Sequence, residues 1–160
     1  RNPGRLTELF FSALRRAGRR GVLLSGWAGL GNGDLGDDVM LVNDIPHDWL
    51  FPRVSAVVHH GGAGTTAAGL RAGKPTVILP FFADQPFWGR LVHRRGVGPR
   101  PIPQGQLTVD NLTDAIRQAT TDPLMAELAS KLGAKIRAED GVARAVTLLE
   151  QRLDVSRRTR

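Results

Sequence analysis

Hydrophobic residues along this chain follow two kinds of spacing. Near the start, Leu6, Leu9, Phe10 and Ala13 recur at intervals of three and four, which predicts an amphipathic helix that Gly18 ends. Elsewhere, runs of about four apolar residues between polar, glycine-rich segments predict short buried strands. Strands are predicted over residues 21–25, 39–42, 54–58 and 76–79, with a short edge strand over 97–100. Helices are predicted over residues 5–18, 47–50, from the glycine turn at 61–64 to residue 73, over 85–95, after Thr108, after Asp122 and over 141–153.

The alternation of strands and helices predicts an α/β fold with a doubly wound parallel sheet. In such sheets ligands bind outside the carboxyl ends of the strands, so the loops at that edge form a pocket by construction. Because the chain opens on a helix, we expect the first strand of the sheet to lie upstream. The domain is expected to span residues 1–153, and residues 154–160 to form a basic, disordered tail. The pocket loops are residues 25–27, 43–46, 59–66 and 81–85.

The segment from residue 57 to residue 85 organises the rest, because it reads as strand, glycine turn, helix and strand. The first amides of a helix have no intrahelical partner, and the helix dipole places partial positive charge there. Glycines let that backbone approach a ligand closely, and Thr65 and Thr66 add hydroxyl donors beside His60. The pattern predicts a phosphate or diphosphate site. The alternative is that the glycines only permit a tight turn.

Composition narrows the class of protein. The chain has 160 residues, 41% of them hydrophobic, which suits one globular domain with a core. No apolar run approaches the ~20 residues of a membrane span, and the first residues lack the apolar segment of a signal peptide. Cysteine is absent, which excludes disulfides and cysteine-based metal sites and suits a cytoplasmic protein. Asp37 and Asp38 are interpreted as a solvated acidic loop rather than a metal site.

The formal net charge of +7 raises the question of nucleic-acid binding. The distribution of the charge argues against it, because arginines cluster in the last four residues and at the end of the first helix, where cations suit the dipole. No basic stretch alternates with stacking aromatics. We therefore expect no nucleic-acid partner, whereas the positive balance would help to attract an anionic substrate.

The central segment resembles the donor-binding motif of the GT-B, family 1 glycosyltransferases. It reads VVHHGGAGTTAAGLRAGKPTVILPFFADQPFWG, and it is especially similar to the sterol 3β-glucosyltransferases and their bacterial, often actinomycete, relatives. The neighbouring PHDWLFPRVSAVVHH and SGWAG are similar too. The resemblance covers nearly the whole chain as the carboxyl-terminal, Rossmann-like half of a GT-B fold.

The resemblance implies roles for individual residues. Contacts with the donor diphosphate are implied for His60, Gly62, Gly64, Thr65 and Thr66. Contacts with the sugar hydroxyls are implied for Asp84 and Gln85, and the nucleoside side for Ser25, Trp27 and Ile45. Two departures from many plant members are visible: Ala68 stands where they have a ribose-binding glutamate, and no tryptophan occurs in residues 42–45 to stack on the base.

The implied reaction moves glucose, or a related hexose, from UDP-glucose to a hydroxyl of a lipophilic acceptor such as a sterol or polyketide, without a cofactor or metal. In this family the general base and acceptor pocket lie in an amino-terminal domain. We therefore expect no catalytic residue in this chain and no turnover by it alone. We expect no integral membrane segment, and peripheral membrane contact stays open. The alternatives are a stand-alone nucleotide-sugar-binding module and a GT-B nucleotide-sugar epimerase.

The sequence also supports predictions for the histidine next to His60 and for the large aromatic residues. His59 is expected to be structural, and a catalytic pair between a histidine and Asp84 is disfavoured because sugar binding explains Asp84 better. Trp49 and Phe51 are expected in the core. Two roles are equally compatible with Phe81, Phe82, Phe87 and Trp88: contact with an apolar acceptor, or packing against the last helix.

Overall fold

The computed structural model describes residues 3–24 and 37–158. The predicted loop over residues 26–38, with Trp27, and the preceding Ser25 therefore lie outside the described residues, except for Asp37 and Asp38. The described chain contains four strands: β1 (Gly21–Leu24), β2 (Val39–Val42), β3 (Val57–His59) and β4 (Thr76–Ile78). Its α-helices are α1 (Pro3–Ala17), α2 (His47–Leu50), α3 (Ala63–Arg71), α4 (Gln85–Arg94), α5 (Val109–Thr121), α6 (Pro123–Ala138) and α7 (Gly141–Arg158). Short 3₁₀ turns span Phe51–Arg53 and Gln104–Gln106.

The strands pair in parallel, as the sequence predicts for an α/β fold. Strand β1 pairs with β2 from Gly21 opposite Val39, and β3 pairs with β4 from Val57 opposite Thr76. Between β3 and β4 the chain crosses over through α3. The carboxyl ends of β3 and β4 therefore lie side by side at one edge, where their following loops meet.

The core lies on both faces of β4, because successive strand residues point to opposite sides. On one face, Val77 and Leu79 pack against α1 and α5. On the other face, Ile78 packs with Val92 of α4 and Ala129 of α6. Helices thus cover both sides of this strand pair, which confirms the Rossmann-like architecture.

The helix starts follow their predicted signals. The Thr108 side chain accepts a hydrogen bond from the Asn111 amide (3.2 Å) while the Asn111 side chain accepts one from the Thr108 amide (2.9 Å), which closes a capping box. Asp122 accepts from the amides of Leu124 and Met125 at the start of α6.

Two predicted boundaries differ from the structure. Residues 97–100 do not form a strand, although Val97 accepts a hydrogen bond from the Thr76 amide at one end of β4 and the Ile102 amide donates one to Ile78 at the other end. The physical reason is proline at 99 and 101, which removes backbone donors and keeps the segment irregular. The last helix continues to Arg158, so the backbone of residues 154–158 is helical where a disordered tail was expected.

Candidate functional site

The turn after β3 is held by a histidine. The Gly61 amide donates to Nδ1 of His59 at 3.0 Å, and Gly61 itself has a φ of +93°, a left-handed conformation that glycine adopts without strain. Because Nδ1 accepts this hydrogen bond, the proton of the neutral ring lies on Nε2. That Nε2 is buried and has no hydrogen-bond partner among the described residues.

His59 is held in its neutral form. Burial, followed by the nearby side chains of His60 and His47, lowers the pKa of His59 from 6.5 to about 4. Protonating the ring would also remove the lone pair that Gly61 donates to, so the neutral form and the turn conformation depend on each other. This agrees with the structural role expected for His59.

The first turn of α3 is open toward the carboxyl edge of the strands. Gly62 caps the helix, and Ala63, Gly64 and Thr65 occupy its first turn, where amides lack intrahelical acceptors. A Cβ added at Gly64 would have no protein atom within 4 Å among the described residues. The side of the helix end at Gly64 is therefore free for a ligand.

His60 lies against this turn. It is exposed, and a Cβ added at Gly62 would come within 2.6 Å of its Nε2, so the ring covers Gly62 directly. The imidazole and the first-turn amides form one group of donors at a positive helix end, and the half-buried Thr65 lies in the same turn.

Thr66 differs from the other predicted contacts. Its side chain is fully buried, and both its amide (2.9 Å) and its hydroxyl (2.8 Å) donate to the Gly62 carbonyl. The hydroxyl expected to face a phosphate thus closes the first turn of α3 instead. Thr66 supports the shape of the turn from behind.

The loop after β4 carries the two residues predicted to contact a sugar. Gln85 is only 7% exposed, and its Oε1 accepts from the amides of Phe81 (2.8 Å) and Phe82 (3.2 Å). This side-chain oxygen thus fixes the loop, and a sugar contact from Gln85 has to use its amide nitrogen. Ala83 has a φ of +56°, which is unfavourable for a residue with a Cβ and points to a tightly constrained loop.

Asp84 points the other way, toward solvent. It is exposed, and its Oδ2 accepts from the indole Nε1 of Trp88 at 2.7 Å. The indole orients the carboxylate and leaves its second oxygen for a ligand. Sequence reasoning missed this pair, although the spacing of four residues at a helix start was the available signal.

The two loops are in direct contact. A Cβ added at Gly61 would meet Ile78 Cγ2 at 2.6 Å and the Gln85 carbonyl at 3.2 Å, so only glycine fits there. The backbone of the first loop therefore rests on the residue that begins α4. The structure brings the predicted phosphate and sugar residues together at one edge.

The nucleoside side is described only in part. Ile45 is half-buried and packs on the cluster of Leu50, Phe51 and Val57, next to Ala68 of α3. This places Ile45 beside the helix that carries the glycine turn. Ser25 and Trp27 lie outside the described residues.

The expected core aromatics separate in the structure. Phe51 is buried, but Trp49 is 51% exposed with the Arg53 guanidinium 4.4 Å from its ring centroid, so its placement in the core was wrong. Phe81, Phe82 and Phe87 are also exposed, so among the described residues these rings do not pack into a core. They form an apolar rim beside Asp84.

The described part of the chain contains neither a membrane-spanning helix nor a cluster of metal-binding side chains. No helix there is long and apolar enough to cross a bilayer. No group of three or more His, Asp or Glu side chains with metal-binding geometry occurs in the same residues.

Comparisons with known proteins place this site in context. Residues 24–151 match the family model described as erythromycin biosynthesis protein CIII-like, C-terminal domain. The chain is 53% identical over 145 residues to sterol 3-beta-glucosyltransferase UGT80A2 of Arabidopsis thaliana, covering 90% of this chain and 23% of that protein. It is 42% identical over 146 residues to the O-mycaminosyltylonolide 6-deoxyallosyltransferase of Streptomyces fradiae, covering 91% of this chain and 34% of that enzyme.

The fold has solved counterparts. The glycotransferase of kitacinnamycin superposes with a TM-score of 0.77 and 29% identity, over 90% of this chain and 38% of that one. In each of these comparisons the chain spans well under half the length of the related protein.

Proposed function

This chain belongs to the EryCIII-like C-terminal domains of the GT-B glycosyltransferases, and on that premise we propose that it binds the donor of a hexosyltransferase. The proposed enzyme transfers glucose, or a related hexose, from UDP-glucose to a hydroxyl of a lipophilic acceptor such as a sterol or polyketide. The observation that carries the proposal is the open first turn of α3, together with the contact of the preceding Gly61 with the loop of Asp84 and Gln85.

The chemistry follows from where charge develops. When the bond between sugar and diphosphate breaks, negative charge grows on the departing diphosphate, and fixed donors aimed at that position lower the barrier. The amides of Ala63, Gly64 and Thr65 lie at a positive helix end, and His60 lies beside them. We assign these groups to the diphosphate. The general base and the acceptor pocket are assigned to the part of full-length relatives that this chain does not cover.

The donor sugar is assigned to Asp84 and Gln85. Asp84 offers an oriented carboxylate oxygen to sugar hydroxyls, and Gln85 offers its amide nitrogen. Glucose is preferred over a deoxysugar because the 53% identical relative is a glucosyltransferase, whereas the 42% identical one transfers a 6-deoxyallosyl group. Ile45, with Ser25 and Trp27 of the sequence, is assigned to the nucleoside.

Calorimetric titration with UDP, UDP-glucose and TDP-glucose tests the proposal. We expect His60→Ala to weaken UDP binding by about 10-fold or more, because a hydrogen bond to a charged group contributes roughly 1.5–3 kcal/mol. We expect Asp84→Ala to weaken UDP-glucose binding but to leave UDP binding nearly unchanged. The matched control variants are His93→Ala and Asp114→Ala, which change exposed residues outside the two loops.

The same titration can contradict each part separately. Unchanged UDP affinity in His60→Ala would remove the histidine from the diphosphate site. Equal losses of UDP and UDP-glucose affinity in Asp84→Ala would mean that Asp84 does not contact the sugar. Tighter binding of TDP-glucose than of UDP-glucose would replace the proposed nucleotide.

Metal independence belongs to the same proposal. The amides and the imidazole supply donors for the diphosphate, so we expect EDTA to leave UDP-glucose affinity unchanged. A loss of affinity in EDTA that Mg²⁺ restores would contradict this. We also propose a cytoplasmic location, which the absence of cysteine supports because disulfides belong to oxidising compartments.

A further inference from the structure

A second concave surface lies along the outer edge of β4, away from the first turn of α3. It is a groove with a volume of about 880 Å³ between α4, the irregular segment of residues 99–103 and α5. One end reaches Pro80 and Pro86, at the base of the loop that carries Asp84. The rest runs between α4 and α5, which cover opposite faces of β4. We call it the edge groove. Donor binding as proposed above leaves it unused.

The edge groove is strongly basic. Arg90 and Arg94 are four residues apart, so they lie on the same face of α4, and Arg100 lies on the facing segment. Each of the three is exposed, and none forms an ion pair with another described residue. Asp114 on α5 is the carboxylate in the lining, so the lining carries a net positive charge of two from these four groups.

The floor of the edge groove is apolar. It is formed by Pro99, Pro101, Pro103 and Ile102, with Ala115 of α5 opposite. Prolines have no backbone N–H, so this segment cannot pair with an added peptide strand along its length. Charge at the rim and apolar surface beneath it suit a molecule with an anionic head and a hydrocarbon portion.

We propose that the edge groove binds the phosphate headgroup of an anionic phospholipid, with Arg90, Arg94 and Arg100 on the phosphate. The planar guanidinium makes paired hydrogen bonds to phosphate oxygens. Three guanidinium groups without an ion-pair partner favour a lipid of net negative charge over a lipid of zero net charge. The prolines and Ile102 accommodate the adjoining apolar part of the lipid. The domain would thereby lie on a membrane surface without entering it. The inference is independent of the donor assignment.

Vesicle co-sedimentation of the 160-residue chain tests this proposal. The vesicles contain phosphatidylcholine alone or phosphatidylcholine with phosphatidylglycerol. The variant Arg90→Gln/Arg94→Gln/Arg100→Gln removes the groove charges, and Arg15→Gln/Arg20→Gln/Arg144→Gln removes the same charge elsewhere. We expect binding to the anionic vesicles alone, weakened on the order of 100-fold by the groove variant, since each of the three basic residues near such a surface adds about fivefold. Circular dichroism checks that both variants stay folded.

The control variant should bind nearly as well as the parent chain. Equal weakening by both variants would show attraction by overall charge and would overturn the proposal, as would an absence of binding to the anionic vesicles. Competition separates the two sources of phosphate. Displacement from the vesicles by inorganic phosphate or by soluble glycerophosphoglycerol at equal phosphate concentration would show a simple anion site and would overturn the lipid assignment.

Discussion

At the scale of single residues, the indole of Trp88 sets the direction of a carboxylate. Its Nε1 donates to Asp84 Oδ2 at 2.7 Å, and its ring also contacts Phe87 edge to face, with centroids 5.3 Å apart. Trp88→Phe keeps an aromatic ring at this position but removes the donor. We expect UDP-glucose affinity to fall about fivefold, the worth of one hydrogen bond, with UDP affinity unchanged in calorimetry.

The two ligands distinguish positioning from general damage. If Trp88 only supports the fold of the loop, Trp88→Phe will lower both affinities together. Recovery of the parent sugar affinity in Trp88→His, which keeps a ring N–H, would support the orienting role.

His59 makes the stability of the chain depend on pH. Its pKa in the folded chain is lowered from 6.5 to about 4, so between these values the unfolded chain binds more protons than the folded one. Its contribution to the free energy of unfolding is therefore constant above pH 6.5, falls by about 3 kcal/mol as the pH drops toward 4, and levels off below that. Carboxylates add their own dependence at low pH, so a variant is needed for comparison.

We expect His59→Asn to reduce the loss of stability between pH 6.5 and 4. Asparagine has no titrating group, and its side-chain oxygen can accept from the Gly61 amide as Nδ1 does. Urea denaturation at a series of pH values measures the difference. An identical pH profile for both proteins would mean that His59 is not held neutral by burial.

Residue types in the sequence predicted the candidate site, but the direction of each side chain did not follow from them. Thr66 and Gln85 were predicted as ligand contacts by resemblance. In the structure the Thr66 hydroxyl donates to the Gly62 carbonyl, and the side-chain Oε1 of Gln85 accepts from the Phe81 amide. Both outcomes depend on hydrogen bonds within a folded loop. The spacing of residues in a sequence does not encode them.

At the scale of elements, α3 and α6 cross so closely that glycine is required. A Cβ at Gly133 would lie 2.6 Å from Gly73 Cα and 2.8 Å from the Leu70 carbonyl oxygen, which are backbone atoms that cannot step aside. We expect Gly133→Ala to lower the free energy of unfolding by about 1–3 kcal/mol, despite the ~1 kcal/mol that alanine contributes in a helix interior.

Gly105→Ala is the matched control. Among the described residues, no atom would lie within 4 Å of a Cβ at Gly105, whose φ is outside the left-handed region. We therefore expect the free energy of unfolding to change by less than about 0.5 kcal/mol. Urea denaturation monitored by circular dichroism measures both variants. Parent-like stability of Gly133→Ala would mean that the two helices lie further apart.

Elements with strong local signals were predicted well, and elements without them were not. Thr108, Asp122 and Gly18 each mark a helix end by a capping side chain or a positive φ, and each boundary was found. Residues 97–100 have the apolar character of a strand, but Pro99 and the following Pro101 prevent a regular ladder. The burial of Gly133 depends on α3, which is close in space but about 60 residues away in sequence, so no local pattern reveals it.

At the scale of the whole molecule, burial is uneven. Leu112 of α5 is fully buried against β4 and α1, whereas Leu149 of α7 is 64% exposed. We expect Leu112→Ala to cost about 2–5 kcal/mol of unfolding free energy, and Leu149→Ala to change it by less than about 0.5 kcal/mol. Thermal and urea denaturation of the two variants measure the contrast. A comparable loss in Leu149→Ala would mean that α7 packs against the chain.

The alternation of strands and helices was enough to predict the α/β class and the edge at which the loops of the candidate site meet. It was not enough to place the positive charge. The sequence showed arginine clusters in the last four residues and at the end of α1, whereas the structure also gathers Arg90, Arg94 and Arg100 along one groove. Residues from α4 and the segment after it meet there only because both lie along the outer edge of β4.

The contact of Gly61 with Ile78 and the Gln85 carbonyl has one more consequence. With the diphosphate on one loop and the sugar on the other, as proposed, a donor anchored by one end presents its other end at a high local concentration. Free glucose should then be a very poor competitor. Lengthening either loop by even one residue should uncouple the two ends and forfeit this chelate advantage.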